Sequence, residues 1–144
     1  MTLPRQILVA TDFSPGAERA LDYAVDLAVR LDAKLHLLNV VGVAMLGADY
    51  GVHVTQDMVQ SVIDSAQAEL DKLVAARRDM VAFGPVRIEV GDARTAILEA
   101  ADAVGADLVV MGTHGRRGIK RLVLGSVAES VVRHATCPVL LVRS

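Results

Sequence analysis

Apolar residues fall into short dense blocks, separated by stretches with a helical beat. Ile7-Leu-Val-Ala10 is the first block and ends in Thr11-Asp12. Ser14-Pro15 follows, a helix start with Ser as N-cap and Pro at the first helical position. Ala17, Ala20, Leu21, Ala24, Ala28 and Leu31 then recur at the spacing of one helix face. Leu35 to Val41 predicts a second strand, and the glycine-bearing stretch 42–54, without periodicity, predicts a loop. Met58, Val59, Val62, Ile63, Ala66, Leu70 and Leu73 stripe a long helix. Val86 to Val90 reads as a third strand. Gly91-Asp92 opens another helix, with Ile97, Ala101 and Val104 inward and Gly105 closing it. Leu108 to Met111 is a fourth strand, Ser126 to His134 a helix, and Val139 to Val142 a fifth strand after Pro138.

Strands that alternate with helices from end to end imply right-handed βαβ units and a parallel sheet. The expected fold is α/β, a three-layer doubly wound five-stranded parallel sheet, formed by residues 1–144 as one domain. Periodicity does not fix the strand order. In the order 3-2-1-4-5, the ligand crevice would open between strands 1 and 4, beyond their carboxyl ends. Thr11-Asp12 and Gly112-Thr113 stand at those two ends.

Composition narrows the picture. The 144 residues are 53% apolar but only 3% aromatic, so the core is aliphatic, as a sheet covered on both faces requires. A net charge of −2 lacks the basic excess of a nucleic-acid surface. Cys137 is the only cysteine, which excludes an intrachain disulfide and a cysteine-based zinc site. No apolar run approaches the roughly 18 residues of a membrane span. Met-Thr-Leu-Pro-Arg is not a secretory start, so a cytoplasmic protein is expected.

Candidate chemistry concentrates after the fourth strand, in Gly112-Thr-His-Gly115-Arg-Arg-Gly118-Ile-Lys-Arg-Leu-Val-Leu-Gly125-Ser126. Glycines allow close approach of an anion and positive φ, and Gly125 is expected to use that freedom. Ser126 starts a helix whose free N–H groups can hold an anion. Arg116, Arg117, Lys120 and Arg121 add cations with no acid among them. A polyphosphate suits all three features. Each also has a plain structural explanation. Ser126-x-x-Glu129 reads as a capping box, the glycines could turn the chain, and the basic run could be a solvated loop. Asp12 could simply brace its own turn. The loop is neither a Walker A motif, which needs lysine beside the last glycine, nor the dinucleotide fingerprint, which follows strand 1. His114 sits inside the loop. His36, His53 and His134 show no ligand spacing, and Cys137 reads as a small buried hydrophobe.

The spacing Gly-x2-Gly-x9-Gly-Ser, met by Gly112, Gly115, Gly125 and Ser126, resembles the ATP-binding signature of the universal stress protein family. Further blocks carry the resemblance across nearly the whole chain: Ile7 to Ser14, Leu37 to Val41, Asp107 to Gly115, and Ala135 to Val142. It implies the order 3-2-1-4-5 in a fold of the adenine nucleotide alpha hydrolase type. It also implies a nucleotide site. Asp12 would lie near the ribose and phosphates, with Ala10 and Thr11 beside it. The main chain of Val40 would meet the adenine edge, and Met111 would pack on the base. Gly112, Gly115, Gly125, Ser126 and Val127 would hold the phosphates, with His114 and Arg116 in the same loop. Asn39 stands where the family frequently has histidine. The cofactor implied is ATP, with Mg²⁺ or Mn²⁺ bound through the phosphates. A homodimer through Val139 to Val142 is expected, with no nucleic-acid or membrane partner. Function then reads as nucleotide-dependent regulation in the stress response. The alternatives are a slow ATP hydrolase and a dimeric interaction module that needs no nucleotide.

Overall fold

The structure is a computed structural model, described here for residues 2–42, 46–47, 50–114 and 124–143. Its elements are β1 (Gln6–Ala10), α1 (Pro15–Leu31), β2 (Lys34–Val41), α2 (Gln56–Ala75), β3 (Arg87–Val90), α3 (Ala93–Val104), β4 (Leu108–Gly112), α4 (Ser126–His134) and β5 (Val139–Val142). The strands form one parallel sheet in the order β3-β2-β1-β4-β5. The chain winds outward from β1 to β3, then crosses to β4, so the reversal point lies between β1 and β4.

Alternation along the strands divides the core into two layers. Ile7, Val9, Leu35, Leu37, Leu108 and Val110 face α1 and α2. Leu8, Leu38, Val109 and Met111 face α3 and α4. Both layers are almost wholly aliphatic, which is why apolar runs in the sequence mark the strands so cleanly.

Helix ends follow local chemistry. Ser14 caps α1, its Oγ accepting from the Ala17 N–H at 3.2 Å. Thr55 caps α2 and Asp92 caps α3 in the same way. Gly105 ends α3 at φ 63°, a left-handed position that glycine adopts without strain. The α2 stripe is buried less deeply than its periodicity suggests. Only Ala66 and Leu70 are fully buried, because the outer half of α2 lies over the sheet's β3 edge. Of the expected loop 42–54, residues 43–45 and 48–49 lie outside the described residues. Among the described residues, no helix is long and apolar enough to cross a membrane.

Candidate functional site

The carboxyl end of β1 is built by a tight polar turn. Thr11 N–H donates to the Leu38 carbonyl at 2.8 Å, the last rung between β1 and β2. The chain then bends through Phe13, at φ 65°. A non-glycine residue in this region is strained by about 1–3 kcal/mol and persists only where its surroundings hold it. They do so here. Phe13 N–H donates to Thr11 Oγ1 at 3.1 Å, and Ser14 N–H to Asp12 Oδ1 at 3.0 Å. The Asn39 side chain donates Nδ2–H to the Thr11 carbonyl at 2.9 Å. Asp12 therefore does brace its own turn, through one oxygen. Its Oδ2 has no partner among the described residues.

The end of β4 lies beside this turn. Thr113 is buried, and its N–H donates to the Val142 carbonyl at 3.2 Å. Its own carbonyl accepts from Gly125 N–H at 2.8 Å, which joins the two ends of the glycine-rich loop. His114 Nδ1 lies 3.2 Å from Thr113 Oγ1. Gly115 and Arg116, together with Arg117, Lys120 and Arg121, lie outside the described residues.

Two expectations about α4 are corrected. Ser126 is not the N-cap. Gly125 holds that position, and no side chain caps the helix. The Ser-x-x-Glu pattern is displaced by one residue from a working capping box, and Glu129 turns away to pair with Arg133 at 2.9 Å. Gly125 also has φ −61° and ψ 155°, the extended conformation of an N-cap rather than a left-handed one. Gly112 is likewise outside the left-handed region, and a Cβ there would meet the Gly16 backbone at an ordinary 3.5 Å. Neither backbone strain nor internal packing requires glycine at 112. A side chain there would instead lie in ordinary contact with the first turn of α1.

Main-chain direction defines the gap. In a parallel ladder, the N–H and C=O of one residue point to the same side and alternate along the strand. Leu38 faces β1, since its carbonyl accepts from Thr11, so Val40 faces the same way. Val109 and Thr113 donate to carbonyls on the β5 side, so Gly112 faces β1. Yet β1 ends at Ala10, and its register with β4 stops at Val9↔Val110. Val40 and Gly112 thus present main-chain groups to one gap from opposite sides, two strand spacings or roughly 10 Å apart. Ala10, Val40, Met111 and Val127 all pack on the α3/α4 side of it. The N-termini of α1 and α4 both stand at the end of β4, each worth about half a positive charge. The arrangement suits a flat polar ring with an anion at one end.

The structure therefore brings together Ala10, Thr11, Asp12, Val40, Met111, Gly112, His114, Gly125, Ser126 and Val127 around the reversal point. The sequence places Thr113 at the crevice without a role, gives Phe13 none, and marks Asn39 only as a departure. Asn39 carried a signal: it is a polar residue inside the apolar run Leu35 to Val41. Elsewhere, His36 is buried against Gln6, and His134 Nδ1 lies 2.8 Å from the Ser130 carbonyl. Burial, then Asp107 and Asp102, push the Cys137 thiol above its ordinary value, which disfavours the reactive thiolate. Among the described residues, no group of three or more His, Cys, Asp or Glu could hold a metal.

A doubly wound parallel sheet whose strand order reverses between β1 and β4 is the class that the fold defines. Residues 4–143 match the model of the universal stress protein family, and the chain belongs to that family. A putative universal stress protein of Staphylococcus haemolyticus is 36% identical over 141 residues, covering 97% of this chain and 85% of that one. The solved hypothetical protein MJ0577 superposes with a TM-score of 0.85 at 26% identity, over 97% of this chain and 96% of the other. A universal stress protein solved in complex with cAMP gives a TM-score of 0.66 at 28% identity, over 99% and 98%.

Proposed function

We propose that this chain is an adenine-nucleotide-binding regulatory protein of the universal stress response, with ATP as its ligand. The observation that carries the reading is the gap beyond β1, into which Val40 and Gly112 direct main-chain groups that the ladder leaves unpartnered. A donor and an acceptor on Val40 suit the edge of adenine. Met111 and Val127 suit its face. The cAMP complex of a related protein supports adenine as the base. The basic run Arg116, Arg117, Lys120 and Arg121 favours a polyphosphate over a cyclic monophosphate.

In this reading Ala10, Thr11 and Asp12 lie along the ribose. Gly112, His114, Gly115, Arg116, Gly125, Ser126 and Val127 surround the phosphates, and the uncapped α4 supplies N–H donors to them. Mg²⁺ or Mn²⁺ would enter on the phosphates, with Asp12 Oδ2, the oxygen its own turn does not use, as a carboxylate ligand. Nucleotide would stabilise the fold by about 2.7 kcal/mol at a hundredfold excess over Kd, and would act on partners by shifting the chain between conformations, without chemistry. A second copy would add along β5, an edge strand paired only with β4 and half-buried along its length. The lone cysteine fits the reducing cytoplasm.

Calorimetric titration of nucleotide-stripped protein with ATP and magnesium tests the reading, with GTP as control. Micromolar binding of ATP and none of GTP is expected. No heat with any adenine nucleotide would refute it and leave an interaction module.

A further inference from the structure

Asn39 is an anomaly in its strand. Leu35, Leu37, Leu38 and Val41 around it are buried apolar side chains, and Asn39 itself is 6% exposed. A buried amide destabilises the fold unless its hydrogen bonds are made inside. Nδ2 makes one at 2.9 Å, to the carbonyl of Thr11, a residue that is itself only 5% exposed.

That bond replaces a rung of the sheet. Leu38 C=O accepts from Thr11 N–H, and the next rung of the same ladder would run from Val40 N–H to Thr11 C=O. It does not form. The Thr11 carbonyl takes the Asn39 amide instead, and the chain turns away through Phe13. Pairing between β1 and β2 therefore stops one rung early, and Val40 N–H and C=O are left facing the gap.

We infer that Asn39 is a positioning residue that sets base specificity without touching the ligand. By holding the Thr11 carbonyl, it keeps Val40 available as an adjacent donor and acceptor. The inference rests on the adenine-nucleotide reading and deepens it. Adenine offers the complementary edge, an acceptor at N1 and a donor at its 6-amino group. Hypoxanthine offers the reverse, a donor at N1 and an acceptor at its 6-oxo group. Without the Asn39 amide, the Thr11 carbonyl is free to take the Val40 N–H, and discrimination between the two bases falls. The phosphates and ribose are the same in both ligands, so general loosening of the site weakens both equally.

The experiment is calorimetric titration with ATP and with inosine triphosphate, on the unmodified protein and on Asn39→Leu and Asn39→Ser. Leucine matches asparagine in size without a donor, and serine is too short to reach Thr11. Thermal unfolding identifies the folded variants, and either one suffices. The expected result is about a tenfold loss of ATP affinity, with the preference for ATP over inosine triphosphate reduced about tenfold, the scale of one hydrogen bond. A folded variant that keeps the original preference, whatever its absolute affinity, overturns the inference and leaves the nucleotide reading standing. An unmodified protein that binds neither ligand overturns both.

Discussion

The two ends of the sheet are made of the same strands and treat their polar groups in opposite ways. At the amino end the chain satisfies itself. The Asp107 carboxylate accepts from the backbone N–H of Arg5 at 3.0 Å and of Gln6 at 2.9 Å. Lys34 N–H donates to the Arg5 carbonyl, and Gly84 N–H to the Leu35 carbonyl. His36 Nε2 lies 2.6 Å from Gln6 Oε1, and Gly84 crosses so close that a Cβ there would stand 2.5 Å from His36 Nδ1. At the carboxyl end the turn after β1 is equally well bonded, but its bonds hold the ladder open. Val40, Gly112 and the first turn of α4 keep donors and acceptors directed at a gap. Pairing at one end stabilises the fold, and withheld pairing at the other is, in the function proposed above, what prepares a site.

Four contrasts test this comparison, from the largest effect down. Leu35→Ala, in the fully buried core near the amino end, should lower unfolding free energy by about 2–5 kcal/mol in urea titration. ATP affinity of the folded protein should stay within about twofold, on the order of 0.4 kcal/mol; a parallel loss would show that the ends are not independent. Gly125→Val should do the reverse. The φ of −61° accepts a side chain, so stability should change by less than about 1 kcal/mol. ATP affinity should fall on the order of a hundredfold, about 2.7 kcal/mol, as read by calorimetry. Retained affinity would place the phosphates elsewhere.

Acid should act through the amino end. Burial first, then Lys34 and Arg87, hold the pKa of His36 below its ordinary 6.5. The unfolded chain therefore takes up a proton that the folded one refuses. Stability from this group is complete above pH 6.5 and falls as the pH drops below it, by up to about 1.4 kcal/mol per pH unit. Urea midpoints between pH 7.5 and 5 would measure the slope, at most one proton's worth. His36→Gln should flatten it, and an unchanged slope would assign the effect to other groups. The smallest contrast is between two serines. Ser14→Ala removes a working cap and should lose about 1 kcal/mol of stability. Ser126→Ala removes none, so its stability should change by less than about 0.5 kcal/mol. A cap-sized loss at Ser126 in thermal unfolding would reverse the assignment of Gly125 as N-cap.

Much of the fold was legible because its cues are local. Ser14-Pro15, Asp92 and Gly105 each mark a helix end through their own backbone or a bond within one turn, and aliphatic runs mark strands buried on both faces. Strand order was not local and came from the resemblance. The misreadings at α4 have a common cause. Ser-x-x-Glu fits a capping box at Ser126, yet the position that takes extended geometry is one residue earlier. That choice is made by the bond between Gly125 and Thr113, twelve residues apart in sequence. Asn39 was noticed as a departure without a role, because its meaning depends on a carbonyl 28 positions away. Gly115 is read from its spacing and Arg116 from its charge in the loop, and both lie outside the described residues.

The most direct test of the open carboxyl end is to follow the backbone amides of ¹⁵N-labelled protein by NMR while ATP and magnesium are added. The account predicts that the Val40 and Gly112 amides shift together and saturate with the ligand, while Gln6 and Leu35 at the other end stay in place. ATP binding that leaves Val40 and Gly112 unmoved would contradict it.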